Sequence, residues 1–162
     1  MNYTVRNAVS EDLPRIEEIY AYARAFMEKT GNPNQWGKTN PPHAWLVDDI
    51  EKKLLYVITD DQGIHGVFYF FIGPDPTYGQ IEDGQWRSSQ PYGTIHRIAS
   101  DGSGGILRTA VAFSSKMIGN IRIDTHHDNV VMQKAVAKLG FERSGIIHLA
   151  NGSPRIAYEL FA

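Results

Sequence analysis

The sequence predicts an α/β (α+β) domain with a mixed, mostly antiparallel sheet of about seven strands and helices on both faces, in the order βααβββαβαββ. Three observations predict it. Four segments carry helix-start or helix-spacing signals, two hairpin turns are written at Asp60 to Gly63 and Asn151-Gly152, and the last third contains two strand-to-helix junctions. A chain of 162 residues suffices for one substantial core and is short for two, so residues 1–162 are expected to form a single domain.

Taken in order, Asn2 to Ala8 alternates as a strand with Tyr3 and Val5 on one face, and Ser10 offers a cap for a helix over residues 11–29. That helix carries Leu13, Ile16, Tyr20, Ala23 and Met27 on one side and stops at Gly31. Turn chemistry fills Thr30 to Asn40, and Asn40-Pro41 starts a second helix running to about Lys53. Leu54 to Thr59 and Ile64 to Ile72 form a hairpin. Gly73 to Pro91 is a long Gly-, Pro- and polar-rich loop of the kind that is functional or mobile. Tyr92 to Ala99 is a strand, and Ile106, Ala110, Phe113 and Met117 mark a helix ending near Gly119. Ile121 to Asp124 is the next strand and Asn129 to Leu139 a helix stopped by Gly140, before closing strands at 141–149 and 154–161.

Composition narrows the chemistry. With no cysteine, disulfides, thiol nucleophiles and cysteine-ligated metals are excluded, and a net charge of -2 without a basic block argues against a nucleic-acid surface. Met1 to Ser10 does not resemble a signal peptide, and no apolar run approaches the roughly 18 residues of a membrane span, so a cytoplasmic protein with no membrane partner is expected. His126-His127-Asp128 invites a metal reading. Adjacent histidines on an extended segment point to opposite sides, however, and no HxH or HExxH pattern is present, so no metal is expected.

The glycine-rich stretch Ser100 to Ile106 (SDGSGGI) lies between a strand end and a helix start, where converging backbone amides and the helix dipole favour a phosphate. No Lys-Ser or Lys-Thr follows its last glycine and GxGxxG is not matched, which removes the Walker and dinucleotide-binding loops. This strand, loop and helix, followed by IRID, by Asn129, and by a helix ending KLGF (Lys138 to Phe141), resemble the GCN5-related N-acetyltransferases, the GNAT superfamily. The resemblance covers essentially the whole chain in element order. It implies an acetyl-CoA-dependent N-acetyltransferase in which Ile98 and Ala99 offer main-chain hydrogen bonds to pantetheine. It further implies that Gly102, Ser103, Gly104, Gly105, Ile106 and Leu107 receive the pyrophosphate and that Asn129 contacts the pantetheine side.

Three residues depart from the family's pattern. Asp101 stands where a basic residue is expected if Gly104 is the central glycine, with Ile106 in the final small position; a register one residue later makes Gly105 central. Val136 stands where many members carry a tyrosine, seven residues after the asparagine, that protonates the departing thiolate.

Acetyl transfer to an amine needs a base, because an alkyl ammonium with a pKa of about 10.4 is protonated at neutral pH. His96 and His126, on two neighbouring strand ends, are the catalytic candidates, although histidine is often only a polar packing residue. The period-two rule puts His96 on the same face as Ile98, whose neighbouring amide is placed to stabilise an oxyanion. Asp124 is free to orient a histidine or to pair with Arg122 or Arg97. Trp36, His43, Trp45 and Tyr78, with Trp86 and the acidic Asp75, Glu82 and Asp83, suit a small cationic amine as substrate. The expected enzyme acetylates a small-molecule amine by direct attack, with a homodimer left open. The alternatives are a non-catalytic acyl-CoA-binding regulatory module and a toxin-like enzyme acetylating protein or tRNA.

Overall fold

In the computed structural model of the chain, which describes residues 2–161, β1 (Thr4–Asn7) leads through a 3-10 turn into α1 (Leu13–Lys29). Next come α2 (His43–Glu51), β2 (Leu55–Asp60) and β3 (Gly63–Ile72), then a long connection to β4 (Gly93–Ser100). The remainder is α3 (Ile106–Ser115), β5 (Asn120–Thr125), α4 (Val130–Lys138), β6 (Glu142–His148) and β7 (Pro154–Phe161). The strands make one seven-stranded sheet in the order β1-β2-β3-β4-β5-β7-β6, antiparallel except where β4 meets β5. Fold class and element order agree with the sequence reading. No described helix is long and apolar enough to cross a membrane.

Three boundaries differ from expectation. The second helix starts at His43, because Pro42 holds the extended cap conformation (ψ 144°) and a proline disfavours helix in the residue before it. The third stops at Ser115, where the Ser114 carbonyl accepts the amides of Met117 and Ile118 at 3.0 and 3.2 Å and leaves Met117 exposed. Ser10 is not the first helix's cap. Asp12 accepts the Val9 amide at 2.9 Å while its carboxylate is paired with Arg6 at 2.7 Å.

Helices cover both faces of the sheet. On the β1–β4 half, α1 buries Ile16, Ile19, Tyr20 and Ala23 against Leu55, Val57, Val67 and Ala99. On the other face, Ile106, Ala110 and Val136 of α3 and α4 meet Phe68, Phe70, Ile95, Ile121 and Ile123. Each fully buried aliphatic or aromatic side chain contributes roughly 1.5–3 kcal/mol. The uncovered face of β5, β7 and β6 is closed by the β3–β4 connection, whose Tyr78, Ile81 and Trp86 pack on Ile147 and Ala157. Glu82 exchanges backbone hydrogen bonds with Ile146 at 2.9 and 2.7 Å, so the loop forms a packed layer.

A buried ion pair pins that layer. The Arg122 guanidinium lies 3.9 Å from the Trp86 ring centroid and 3.8 Å from that of Tyr92, with Glu159 at 3.5 Å. Glu159 is fully buried and also accepts from the Ser144 hydroxyl and the Arg87 amide, both at 2.8 Å. Removing the carboxylate would strand a buried cation, so Glu159→Ala is expected to lower stability by about 3–5 kcal/mol. A chemical-denaturation midpoint unchanged from wild type would refute this.

Candidate active site

The sheet opens a cleft at its centre. β4 and β5 pair only at Gly93–Ile121 and Thr94–Arg122; beyond Thr94 the edge of β4 facing β5 has no strand partner. A cleft of about 900 Å³ occupies the divergence, lined among others by Ile95, Ile98, Ile123 and Met132 from the strands and α4. Opposite them stand Trp36, Trp45 and Tyr69 with Asp49, Asp75, His96, Asp124 and Arg155.

A bulge in β4 sets which side chains face the cleft. Val67 pairs with Ala99 but Tyr69 pairs with His96, so β4 carries one extra residue, and Arg97 absorbs it at φ 51°. Ile98 consequently packs with Ile95 on the α3/α4 face, whereas His96 turns to Tyr69, with ring centroids 5.7 Å apart. The expectation that His96 and Ile98 share a face is thereby corrected. The extra residue inverts the alternation.

His96 is the hub of a polar network. Its Nε2 lies 2.7 Å from Asp75 Oδ2 and its Nδ1 3.7 Å from Asp124 Oδ2, which accepts the Tyr78 hydroxyl at 2.6 Å. Burial works against the charged form of Asp75, yet hydrogen bonds from His96 and Thr77 outweigh it and hold its carboxyl at about 2. The carboxylate at Nε2 keeps a hydrogen on that nitrogen, which leaves Nδ1 to exchange a proton. Asp124 bonds Tyr78 and faces His96, while Arg122 belongs to Glu159 and Arg97 to Asp49.

The expected substrate wall is partly assembled. Trp36 lines the cleft and meets Tyr20 edge-on at 5.5 Å; Trp45 lines it half-exposed, with Arg97 5.6 Å from its ring. Tyr78 is buried behind the cleft with its hydroxyl on Asp124, because the 73–92 layer packs it inward. His43 is an exposed helix-start residue 3.5 Å from Glu17 and does not line the cleft. Glu82 and Asp83 pair with His148 and Arg143 on the surface.

The glycine-rich loop ends at the N-terminus of α3. Gly105 caps the helix at φ 80°, a left-handed conformation in which a side chain is strained, and Ile106 and Leu107 open the first turn, whose amides lack intrahelical partners. Asp101 turns away from that turn. It pairs with Arg15 at 2.8 Å and His65 at 2.9 Å and accepts the Ser103 amide at 3.0 Å, so its charge is compensated inside the protein. Hydrogen bonds to Asp101 and Asp60 raise the His65 imidazole above its ordinary value. A folded-state pKa raised above the unfolded value of about 6.5 stabilises fully below that value and loses its effect as pH rises through the folded pKa. The wild-type advantage in melting temperature over His65→Asn is therefore expected to shrink as pH rises from about 6. A pH-independent difference would contradict it.

His126 and Asn129 build the far wall. Asn129 Oδ1 accepts the Met132 amide at 3.0 Å as the α4 cap, and its Nδ2 donates to Gln35 Oε1 at 3.0 Å. Gln35 also accepts from Thr125 at 3.3 Å, which ties the α1–α2 loop, and Trp36 with it, across the opening. His126 is buried and does not line the cleft; its Nδ1 accepts the Asp128 amide at 3.0 Å. Burial, with the Arg155 cation nearby, lowers its pKa and favours the neutral ring. The chain turns after Thr125, with the Asn129 amide on the His126 carbonyl at 2.9 Å, so the His126 and His127 rings stack at 4.3 Å instead of pointing apart. Together with Asp128 they bring three potential metal-ligand atoms within 4.8 Å of one another.

Val136 is fully buried in the α4 core, so no hydroxyl reaches the cleft from this position. Sequence reasoning passed over Gln35, Asp49, Tyr69 and Arg155 and treated Arg97 only as a pairing partner. A hint was present in His96-Arg97, two polar residues in succession inside an apolar strand, which is the mark of a bulge.

No protein-family model and no curated protein sequence matches the chain. Solved structures do. The chain is similar to a GNAT-family acetyltransferase from Streptococcus agalactiae, with a TM-score of 0.89 and 28% identity over 99% of this chain and 95% of that one. A GNAT-family acetyltransferase from Listeria monocytogenes follows with a TM-score of 0.72 and 19% identity, covering 99% and 95%. A phosphinothricin acetyltransferase from Sinorhizobium meliloti, solved in complex with acetyl-CoA, has a TM-score of 0.64 and 16% identity, covering 98% and 88%.

Proposed function

Because the chain belongs to the GCN5-related N-acetyltransferase (GNAT) superfamily and is an acyltransferase, we propose that it transfers an acetyl group from acetyl-CoA to a small-molecule amine. The observation that carries the reading is the 2.7 Å hydrogen bond between His96 Nε2 and Asp75 inside the cleft where β4 and β5 part.

The residues present fit acetyl-CoA. The unpaired edge of β4 offers backbone groups to an extended pantetheine arm, with Ile98 and Ala99 at its end and Ile123 and Met132 as apolar neighbours. Residues Gly102 to Leu107, ending in the first turn of α3, would hold the pyrophosphate on backbone amides. Asn129 acts as a positioning residue there, since its side chain is spent on the α4 cap and on Gln35. When bound, acetyl-CoA supplies an activated thioester carbonyl.

The chain's own residues prepare the amine. Asp124 attracts the ammonium, and His96 Nδ1, oriented by Asp75 through the other ring nitrogen, accepts its proton. The N–C bond to the acetyl carbon forms and the thioester C–S bond breaks. Of the two protons lost by the ammonium, one passes to solvent by way of His96 and the other ends on the thiol.

The test is release of CoA thiol from acetyl-CoA with a panel of primary amines, with the acetylated product identified by mass. Acetyl-CoA binding without transfer to any amine would instead favour a non-catalytic acyl-CoA-binding module. The acidic balance of the chain counts against a protein- or tRNA-directed enzyme. A cytoplasmic location is part of the same reading.

A further inference from the structure

Three arginines stand around the sheet centre, Arg122 and Arg155 buried and Arg97 partly so, and two of them have a carboxylate of their own. Arg122 faces Glu159, and Arg97 is bound to Asp49. Arg155, 5% exposed and lining the cleft, has none among the described residues. Its Nη1 donates to the Ser153 hydroxyl and, at 2.9 Å, to the Pro154 carbonyl, and its Nη2 donates to the Gln35 carbonyl at 3.3 Å, all neutral oxygens. A buried cation without an anion is costly, and a guanidinium keeps five N–H donors of which these contacts use three. Burial lowers its pKa, and the charge nearest to compensating it is Asp124.

Sheet register places the two groups together. Asp124 pairs with Ala157, and Arg155 lies two residues further along β7, so both project from the same face as diagonal neighbours. The cleft therefore presents, side by side, an anion-binding fork and the carboxylate and imidazole that receive an ammonium. A dianion such as a phosphate would meet Asp124 and Asp75, whereas a zwitterion satisfies both ends.

We propose that Arg155 binds the carboxylate of the acceptor, which makes the substrate class a compact amino acid, with its amine at His96 and Asp124. This rests on the acetyl-transfer reading, and it makes Arg155 a specificity-determining residue. The aromatic Trp36, Trp45 and Tyr69 then border the space left for the side chain.

The experiment compares each of the twenty α-amino acids with its own carboxamide, by CoA release and by calorimetric binding to the protein in the presence of CoA. For at least one side chain the wild type is expected to prefer the free acid by about ten- to a hundredfold in kcat/KM, the scale of a charge-assisted hydrogen bond. Arg155→Gln should abolish that preference by losing the acid while keeping the amide, and Arg155→Lys should restore part of it. CoA affinity of each variant reports that it is folded. Equal use of acid and amide by the wild type, or equal loss of both in a variant that still binds CoA, overturns the proposal. If no amine is acetylated yet the acid binds better than the amide only when Arg155 is present, the acetyl-transfer reading fails and the carboxylate site stands. If neither binds nor reacts, the carboxylate site is refuted as well.

Discussion

His96→Ala is expected to lower the turnover number for acetyl transfer by about a hundredfold or more, the usual contribution of a positioned base, while leaving acetyl-CoA affinity nearly unchanged. The asymmetry follows from geometry: His96 faces Tyr69, Asp75 and Asp124, whereas Ile98, on the opposite face of the bulged strand, borders the α3/α4 side. Asp75→Asn should cost less, since it removes the group that orients the ring while leaving the ring itself. The Asp75 carboxyl, held at about 2, contributes stability that is complete above its unfolded pKa near 3.9 and is lost as pH falls through about 2. The ring is therefore oriented across the whole neutral range. His126→Ala serves as the comparison, because that ring is buried, bonded to the Asp128 amide and absent from the cleft wall. If His126→Ala lost turnover as severely as His96→Ala with CoA binding intact, the base would have to be reassigned.

Gly105→Glu is expected to weaken acetyl-CoA binding at least about tenfold, or 1.4 kcal/mol, measured by calorimetry. Two effects act together. A side chain at φ 80° strains the folded loop by about 1–2 kcal/mol and so favours its moving away from the geometry that presents the amides, and a carboxylate at the start of α3 opposes the phosphates that the helix dipole would attract. Gly104→Glu separates them, since it adds the charge without a left-handed backbone. Affinity unchanged in both variants would remove the pyrophosphate from this loop. Asp101 does not mask the effect, because Arg15 and His65 already hold its charge.

The architecture was legible in the chain because it is written in local patterns. Helical spacing from Leu13 to Met27, the turns at Asp60 to Gly63 and Asn151-Gly152, and Asn129 before a helix ended by Gly140 each act over a few residues. The glycine-rich turn was legible for the same reason, as a strand end, a left-handed glycine and a helix start in succession. His96 and the aromatic pair Trp36 and Trp45 could be nominated as polar or bulky residues near those junctions.

Orientation and partnership were decided by contacts between residues far apart in sequence. One inserted residue at Arg97 reversed the face of His96, a change that the alternation rule cannot register. Tyr78 and His43 left the expected substrate wall because a loop of some twenty residues packed as a layer and a helix began at His43. The ownership of carboxylates, Glu159 by Arg122, Asp49 by Arg97 and, among the described residues, none by Arg155, depends on which strands lie side by side. Spacing along the chain carries propensity and periodicity. Whether a buried charge is paired is a property of three-dimensional neighbours, and in this protein it distinguishes an arginine that holds the fold from one that awaits a substrate.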